Sequence, residues 1–274
     1  MRRLRGFTFV EMLAAVSAAG VLVAVVLPTL GSRRAKTRRA VCTRNLQLAS
    51  SGLSAYAQAY GGALPTCGYG PGTKRFDVIG WRFTQRRSLA HSNSRNLFLA
   101  VRGRFVDPAA LICPETDDQP AWLGPPTRPY HDFNVGHGDY YTNRFSYSYH
   151  LQFRDRSIGE RGYPLTTASE PGMAVLADRN PCLSYSGRAW GSGSAADSVG
   201  APPGVDASAA NSRNHAGRGQ NVAFLDGHVR WAAAPTVGPD GDNIYTVWFG
   251  SDRANGEITY RSMPRGRTDC FLVP

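Results

Sequence analysis

Lysine is nearly absent from this sequence. Two of its 31 basic residues are lysines, and the arginines that supply the rest are scattered from end to end. A nucleic-acid-binding surface would concentrate basic residues on one face. The net charge of +11 therefore does not by itself indicate binding to nucleic acid.

The chain also lacks the short motifs of common enzymes. It contains no Gly-x-Ser-x-Gly sequence and no glycine-rich phosphate loop that ends in lysine. Its five cysteines form no Cys-x-x-Cys pair, which argues against a zinc ribbon or a thioredoxin-like site. We therefore expect no enzymatic activity.

A single long hydrophobic run is present, and there is no second one. The 21 residues from Met12 to Ser32 carry no charge, which is about the ~20 residues that a membrane-spanning helix needs. A secretory signal peptide would also begin with basic and apolar segments. Glu11 within the apolar region and the lack of a convincing cleavage site after Pro28 argue against that alternative.

The helical pattern continues beyond this run to about residue 60. Gly61 and Gly62 are expected to end the helix. Apolar residues recur at spacings of three, four and seven, which predicts one apolar stripe. The predicted stripe consists of Val41, Leu48, Gly52, Leu53, Tyr56 and Tyr60.

The remainder of the chain favours short strands and long loops. The segments 110–117, 144–153 and 172–181 are candidate strands, and 244–250 and 257–263 are two more. The clearest signal is the pair Asp226-Gly227 between two alternating runs, which predicts a β-hairpin with a type I′ turn.

The N-terminal residues "RRLRGFTFVEML" closely resemble the leader of type IV prepilins. The resemblance implies cleavage by prepilin peptidase between Gly6 and Phe7, and N-methylation of Phe7. It also implies an assembly role for Glu11, whose carboxylate would pair with the new amine of Phe7 in the same chain or in a neighbouring subunit.

Two further motifs resemble planctomycete-type prepilin proteins. The first is Cys-x-x-Asn-Leu, matched by Cys42, Asn45 and Leu46. The second is a histidine followed by Asp-Gly-His, matched by His215, Asp226, Gly227 and His228. Ten residues separate His215 from Asp226 where nine are usual, and the middle of the chain matches only in fragments such as "LICP" and "ADRNP".

The resemblance implies an α+β, pilin-like fold with a long N-terminal helix packed on an antiparallel β-sheet with long loop insertions. The expected divisions are a leader at 1–6, a transmembrane half of the helix at 7–31, an amphipathic half at 32–60 and a globular periplasmic α+β domain at 61–274. The expected location is the bacterial inner membrane with a single span. The basic cluster at 33–39 conflicts with this orientation under the positive-inside rule.

The implied function is that of a structural subunit, a pseudopilin or minor pilin. Its partners would be prepilin peptidase, the inner membrane and other pilin-like subunits, in a type II secretion pseudopilus or a type IV pilus-like fibre. The alternative is a membrane-anchored binding protein for extracellular polysaccharide or DNA, because the surplus of aromatic residues and arginine suits stacking and phosphate contacts.

Two candidate metal sites follow from residue type. His215, Asp226 and His228 carry ligands that suit zinc, but Asp226 also fits the hairpin turn. Asp240, Asp242 and Asn243 supply oxygen ligands that suit Ca²⁺, which major pseudopilins bind in a C-terminal loop, although the same residues are ordinary turn formers.

The cysteines allow three disulfide connectivities in the globular part of the chain. One candidate pairs Cys67 with Cys113 and Cys182 with Cys270. Cys42, on the helix, is expected to stay unpaired.

Overall fold

A computed structural model describes residues 8–67, 93–124, 132–133, 144–153, 162–181, 210–257 and 262–273. In this part of the chain there are two α-helices, α1 (Phe9–Ala59) and α2 (Asn93–Arg102). The seven strands are β1 (Tyr147–His150), β2 (Ala174–Asp178), β3 (Gln220–Phe224), β4 (Val229–Ala232), β5 (Val247–Phe249), β6 (Asp252–Glu257) and β7 (Leu272–Val273).

The main sheet has five strands in the order β4-β3-β2-β1-β7, and every neighbouring pair is antiparallel. Strands β5 and β6 form a separate antiparallel pair. The second half of α1 packs on the sheet and buries Cys42, Leu46, Ala49 and Leu53. Helix α1 is thus a single 51-residue element with a packed end.

The predicted long helix and the predicted antiparallel sheet are both present, but the transmembrane part of the prediction is wrong. No helix among the described residues is long and apolar enough to cross a membrane. Charged residues border the apolar run of α1 at both ends, with Glu11 before it and a basic cluster from Arg33 after it. The predicted single-span inner-membrane location is wrong on the same finding.

The predicted apolar stripe of α1 is partly wrong. Leu53 and Tyr56 are buried, whereas Val41, Leu48 and Tyr60 are exposed. The buried face runs instead through Cys42, Leu46 and Ala49. A three- or four-residue spacing fits two adjacent helix faces equally well when small and polar residues lie between the apolar ones, so the pattern alone does not select the face that meets the sheet.

The end of α1 agrees with its sequence signal. Gly61 and Gly62 have φ of 65° and 87°, in the left-handed region that favours glycine, and the amide of Gly62 donates to the carbonyl of Ala57. Near the middle of the packed half, Gly52 lies against the backbone of Phe105. A Cβ at Gly52 would meet the Phe105 carbonyl oxygen at 2.2 Å, so only glycine permits this close approach.

The hairpin of β3 and β4 is confirmed, but its turn differs from the prediction. The amide of Phe224 donates to the carbonyl of His228, which leaves a three-residue loop of Leu225, Asp226 and Gly227. Within this loop only Gly227 has a positive φ, of 90°. A type I′ turn needs two such residues, whereas a three-residue loop needs one glycine in the left-handed region.

Candidate metal centre

Four buried side chains converge beneath α1, each from a different segment of the chain. They are Cys42 of α1, Cys113 in the loop after the 3₁₀ turn Pro108–Leu111, Asp178 at the end of β2, and His215 at the end of the 3₁₀ turn Arg213–His215. Their ligand atoms all lie within 4.8 Å of one another. This buried cluster can hold a metal ion.

The Cys-x-x-Asn-Leu motif positions two of these side chains. Cys42 faces the sheet, and Leu46, one helical turn later, is fully buried beside it in the core. Asn45 donates from Nδ2 to the carbonyl of Ile112 at 2.7 Å and so fastens the residue before Cys113 to the helix. The motif therefore holds the loop of Cys113 against α1.

Asp178 is the most fully bonded member of the cluster. Its Oδ2 accepts from the backbone amide of Asn221 at 2.6 Å, and its Oδ1 accepts from Nδ2 of Asn214 and from Sγ of Cys42, both at 3.2 Å. A carboxylate without solvent contact needs such partners, because burying an unpaired charge is costly. Asn214 and Asn221 thus fix the orientation of this carboxylate.

His215 completes the cluster from the far side. Its Nε2 lies 3.2 Å from Oδ2 of Asp178 and 3.7 Å from Sγ of Cys113, and its ring meets Trp231 edge-on with 5.3 Å between centroids. Burial alone lowers the pKa of His215, but the hydrogen bonds to Asp178 and Cys113 and the charges of those residues outweigh it and raise the pKa to about 10.

The two thiols have opposite shifts. Burial, with smaller contributions from Cys113 and Asp178, raises the pKa of Cys42 well above its usual value. The hydrogen bond with Cys42 lowers the pKa of Cys113. Burial opposes this effect and the hydrogen bond with His215 adds to it, so the pKa lies below its usual value. The two thiols share a hydrogen bond, so ionisation of one disfavours ionisation of the other while no cation is close.

The structure separates His215 from the other two residues of its predicted triad. Asp226 and His228 lie on the exposed hairpin loop, where Oδ1 of Asp226 is 2.5 Å from Nδ1 of His228. The His228 ring stacks on Phe224 with 4.3 Å between centroids. Asp226 also accepts from the backbone amide of His228, the contact expected of a turn residue.

The residues of the predicted calcium site are engaged in other contacts. Asp240 forms an ion pair with Arg253. Asp242 is buried and accepts from Nε1 of Trp248 at 2.7 Å and from the amide of Cys270 at 2.6 Å. Asn243 accepts from the amide of Tyr245 and donates to the carbonyl of Ala254. These contacts hold the loop together, and none of them indicates that the loop binds calcium.

The processing residues Gly6 and Phe7 lie outside the described residues, but Glu11 is described. Its Oε2 accepts from the backbone amide of Thr8 at 2.8 Å and from the Thr8 hydroxyl at 2.9 Å, and Oγ1 of Thr8 accepts in turn from the Glu11 amide. This reciprocal arrangement is a capping box. The backbone and then the side-chain hydrogen bond from Thr8 lower the pKa of Glu11.

The predicted disulfide between Cys67 and Cys113 is wrong. Both are free thiols, as are Cys42 and Cys270, and Cys113 lies beside Cys42 instead. Cys182 lies outside the described residues. The widely spaced cysteines gave no indication of which segments meet, since pairing depends on the fold.

Sequence reasoning missed Cys113 and Asp178 as site residues. Each lies in a fragment with a recognisable pattern, "LICP" and "ADRNP", and Asp178 ends a predicted strand. No spacing rule connects these fragments, because Cys42 and Asp178 are 136 positions apart in the sequence and Cys113 and His215 are 102 positions apart.

No protein-family model, curated protein or solved structure matches the chain. The resemblance to pilin-like proteins accordingly stays a prediction.

Proposed function

We propose that this chain is a pilin-like structural subunit that is processed by prepilin peptidase. It would assemble with other pilin-like subunits in a type II secretion pseudopilus or a type IV pilus-like fibre. The observation that carries the proposal is the unequal burial of α1. Its second half packs on the sheet, whereas every described side chain from Thr8 to Ala24 is exposed.

The exposed half of α1 is strongly apolar. Its large side chains are 55–80% exposed, and they are Phe9, Val10, Met12, Leu13, Val16, Val21, Leu22 and Val23. Contiguous apolar surface of this kind marks a site of interaction. Apolar helices of the same type from neighbouring subunits would cover it, and helix packing of this sort suits a fibre with a helical core.

Glu11 would serve two successive purposes in this proposal. In the uncleaved chain it caps the first turn of α1 together with Thr8. Cleavage after Gly6 removes three arginines, lowers the formal charge from +11 to +8 and leaves Thr8 in place as the second residue. The capping box can therefore persist while the new amine of Phe7, or that of a neighbouring subunit, approaches the carboxylate.

The proposal is tested by co-expression of the chain with prepilin peptidase, followed by mass analysis of the N-terminal peptide. The expected product begins with N-methylated Phe7. Gly6→Val should block the cut, because a branched side chain replaces the leader glycine. A wild-type chain that keeps its original N-terminus, or that is cut at another position, contradicts the proposal.

Calcium binding at Asp240, Asp242 and Asn243 belongs to the same proposal as a subsidiary prediction. The three residues share one loop next to β6, and Asp242 is held in place by Trp248 and Cys270. A rise in melting temperature on addition of calcium is expected, and an unchanged melting temperature excludes the site.

A further inference from the structure

We propose that Cys42, Cys113, Asp178 and His215 form a four-ligand zinc site that fastens α1 to the sheet. This inference goes beyond the proposed function, because it concerns neither processing nor fibre assembly. It rests on the geometry, the chemistry and the surroundings of the cluster.

Three distances between side chains of the cluster are close to those between the ligands of a tetrahedral zinc site, and all four ligand atoms lie within 4.8 Å of one another. Zinc bonds of about 2.3 Å to sulfur and about 2.0–2.2 Å to nitrogen or oxygen place the ligand atoms about 3.3–3.8 Å apart. Nε2 of His215 lies 3.7 Å from Sγ of Cys113 and 3.2 Å from Oδ2 of Asp178. Sγ of Cys42 lies 3.2 Å from Oδ1 of Asp178. A central cation would draw together ligand atoms that are now at most 4.8 Å apart, and it would bind one oxygen of Asp178 in place of the separate contacts of Oδ1 with Cys42 and of Oδ2 with His215.

The donor set selects zinc over calcium or magnesium. Two thiolates, an imidazole and a carboxylate suit zinc, whereas calcium and magnesium are bound by oxygen. Four protein ligands fill a tetrahedral ion and leave no open position. The site is therefore structural and not catalytic.

Neighbouring side chains orient the ligands, as the outer contacts of metal sites do. Asn214 and the backbone of Asn221 hold the carboxylate of Asp178. The hydroxyl of Tyr147 lies 3.2 Å from Sγ of Cys42. Next to Cys42 on α1, the hydroxyl of Thr43 donates to Oδ1 of Asn221 at 2.9 Å. This bond links α1 to the residue whose backbone holds Asp178.

A cavity at the surface reaches one member of the cluster, His215. It has a volume of about 280 Å³, and its lining includes His215 together with the exposed side chains of Lys36, Arg39 and Arg218. The cavity provides an entry path for the ion. Three anionic ligands around a divalent cation leave one negative charge, and the cavity beside His215 is lined by three basic side chains and one carboxylate, that of Glu115.

The test uses the full chain, purified in reductant, treated with a chelator and then dialysed against Zn²⁺ or Co²⁺. We expect one metal ion per chain by elemental analysis. The Co²⁺ form should have the visible bands of a tetrahedral site and a thiolate-to-cobalt charge-transfer band. Zinc should raise the melting temperature by roughly 10 °C at a large excess over its dissociation constant.

Matched cysteine variants locate the site. Cys113→Ser should abolish the charge-transfer contribution of that thiolate and weaken zinc binding at least tenfold, whereas Cys67→Ser, at a free thiol outside the cluster, should bind zinc like the wild type. If Cys113→Ser does not fold, the metal content and the Co²⁺ spectrum of the wild type decide.

Three results overturn the proposal. The first is a wild-type chain without stoichiometric metal after dialysis. The second is metal binding that Cys67→Ser loses and Cys113→Ser keeps. The third is a disulfide between Cys42 and Cys113 that persists in the presence of reductant. None of these results bears on cleavage after Gly6, so failure here is distinguishable from failure of the proposed function.

Discussion

The two halves of α1 differ in what surrounds them, although they belong to one continuous helix. From Thr8 to Ala24 the apolar side chains face outward, whereas from Cys42 to Ala57 one face is buried against the sheet. Apolar residues in a helix thus indicate a partner without showing whether the partner belongs to the same chain. The first half is expected to carry assembly, and the second half to carry the stability of the fold.

The largest expected difference between the halves is the loss of stability when a leucine is replaced by alanine. Leu46→Ala removes a fully buried side chain and should lower the free energy of unfolding by about 2–5 kcal/mol. Leu22→Ala, in the exposed half, should change it by less than about 0.5 kcal/mol. Chemical denaturation of both variants measures the contrast, and equal losses would show that the first half is packed within the chain.

Acidification is expected to weaken the packed region through His150. This histidine is buried in β1, and desolvation lowers its pKa from 6.5 to about 4. Between these values the unfolded chain binds the proton more tightly than the folded chain does. The stability that His150 contributes is complete above about pH 6.5 and is lost as the pH falls towards 4, by up to about 3 kcal/mol.

The measurement for His150 is the difference in unfolding free energy between the wild type and His150→Gln across this range. Burial raises the pKa values of the carboxyls of Asp242 and Asp269 to about 8 and about 7, so their contributions to stability change with pH in the opposite direction. These contributions are the same in both proteins and are removed when the two unfolding free energies are subtracted. A difference that does not change with pH would show that His150 is hydrated in the folded chain.

Two glycines of the same helix provide a smaller contrast. Gly52→Ala brings a methyl group against the Phe105 carbonyl oxygen and should cost about 1–3 kcal/mol despite the better helix propensity of alanine. Among the described residues, a methyl group added at Gly20 would meet no atom within 4 Å other than those of the adjoining helix backbone, so Gly20→Ala should stabilise the helix by about 0.5–1 kcal/mol. Thermal denaturation of the two variants should shift in opposite directions.

The smallest effect on the isolated chain is expected at Glu11, which is exposed and, among the described residues, is hydrogen-bonded by its carboxylate to Thr8. Glu11→Gln retains an oxygen that can accept from Thr8 but removes the charge, whereas Glu11→Ala removes both. If charge pairing with the Phe7 amine drives assembly, both variants should be cleaved and neither should form fibres in electron micrographs. Fibres from Glu11→Gln alone would assign Glu11 a capping role only.

The features that depend on local pattern could be predicted from the sequence. The helix from 9 to 59 follows from continuous apolar and then amphipathic residues, and its end follows from Gly61-Gly62. The β3–β4 hairpin follows from Asp226-Gly227. Helix α2 was missed, because its amphipathic pattern extends over only ten residues and a short apolar run of this kind does not distinguish a helix from a strand.

The buried cluster could be predicted only in part. His215 was identified as a candidate ligand, but its predicted partners were its neighbours in sequence, Asp226 and His228. The chain turns these two onto the exposed hairpin loop and places Asp178 and Cys113 beside His215 instead. Contacts between distant segments depend on how the strands pair, which residue spacing does not encode.

The wide sequence separation within the cluster also has a consequence for folding. Contacts across 136 and 102 residues close large loops, and chains dominated by such contacts fold slowly because the loop-closure entropy is lost before the contacts form. Cys42 can meet Asp178 at the end of β2 only after α1 has docked on the sheet. Until that late step the Cys42 thiol is open to oxidation, so the rate of docking decides how long the newly made chain stays vulnerable.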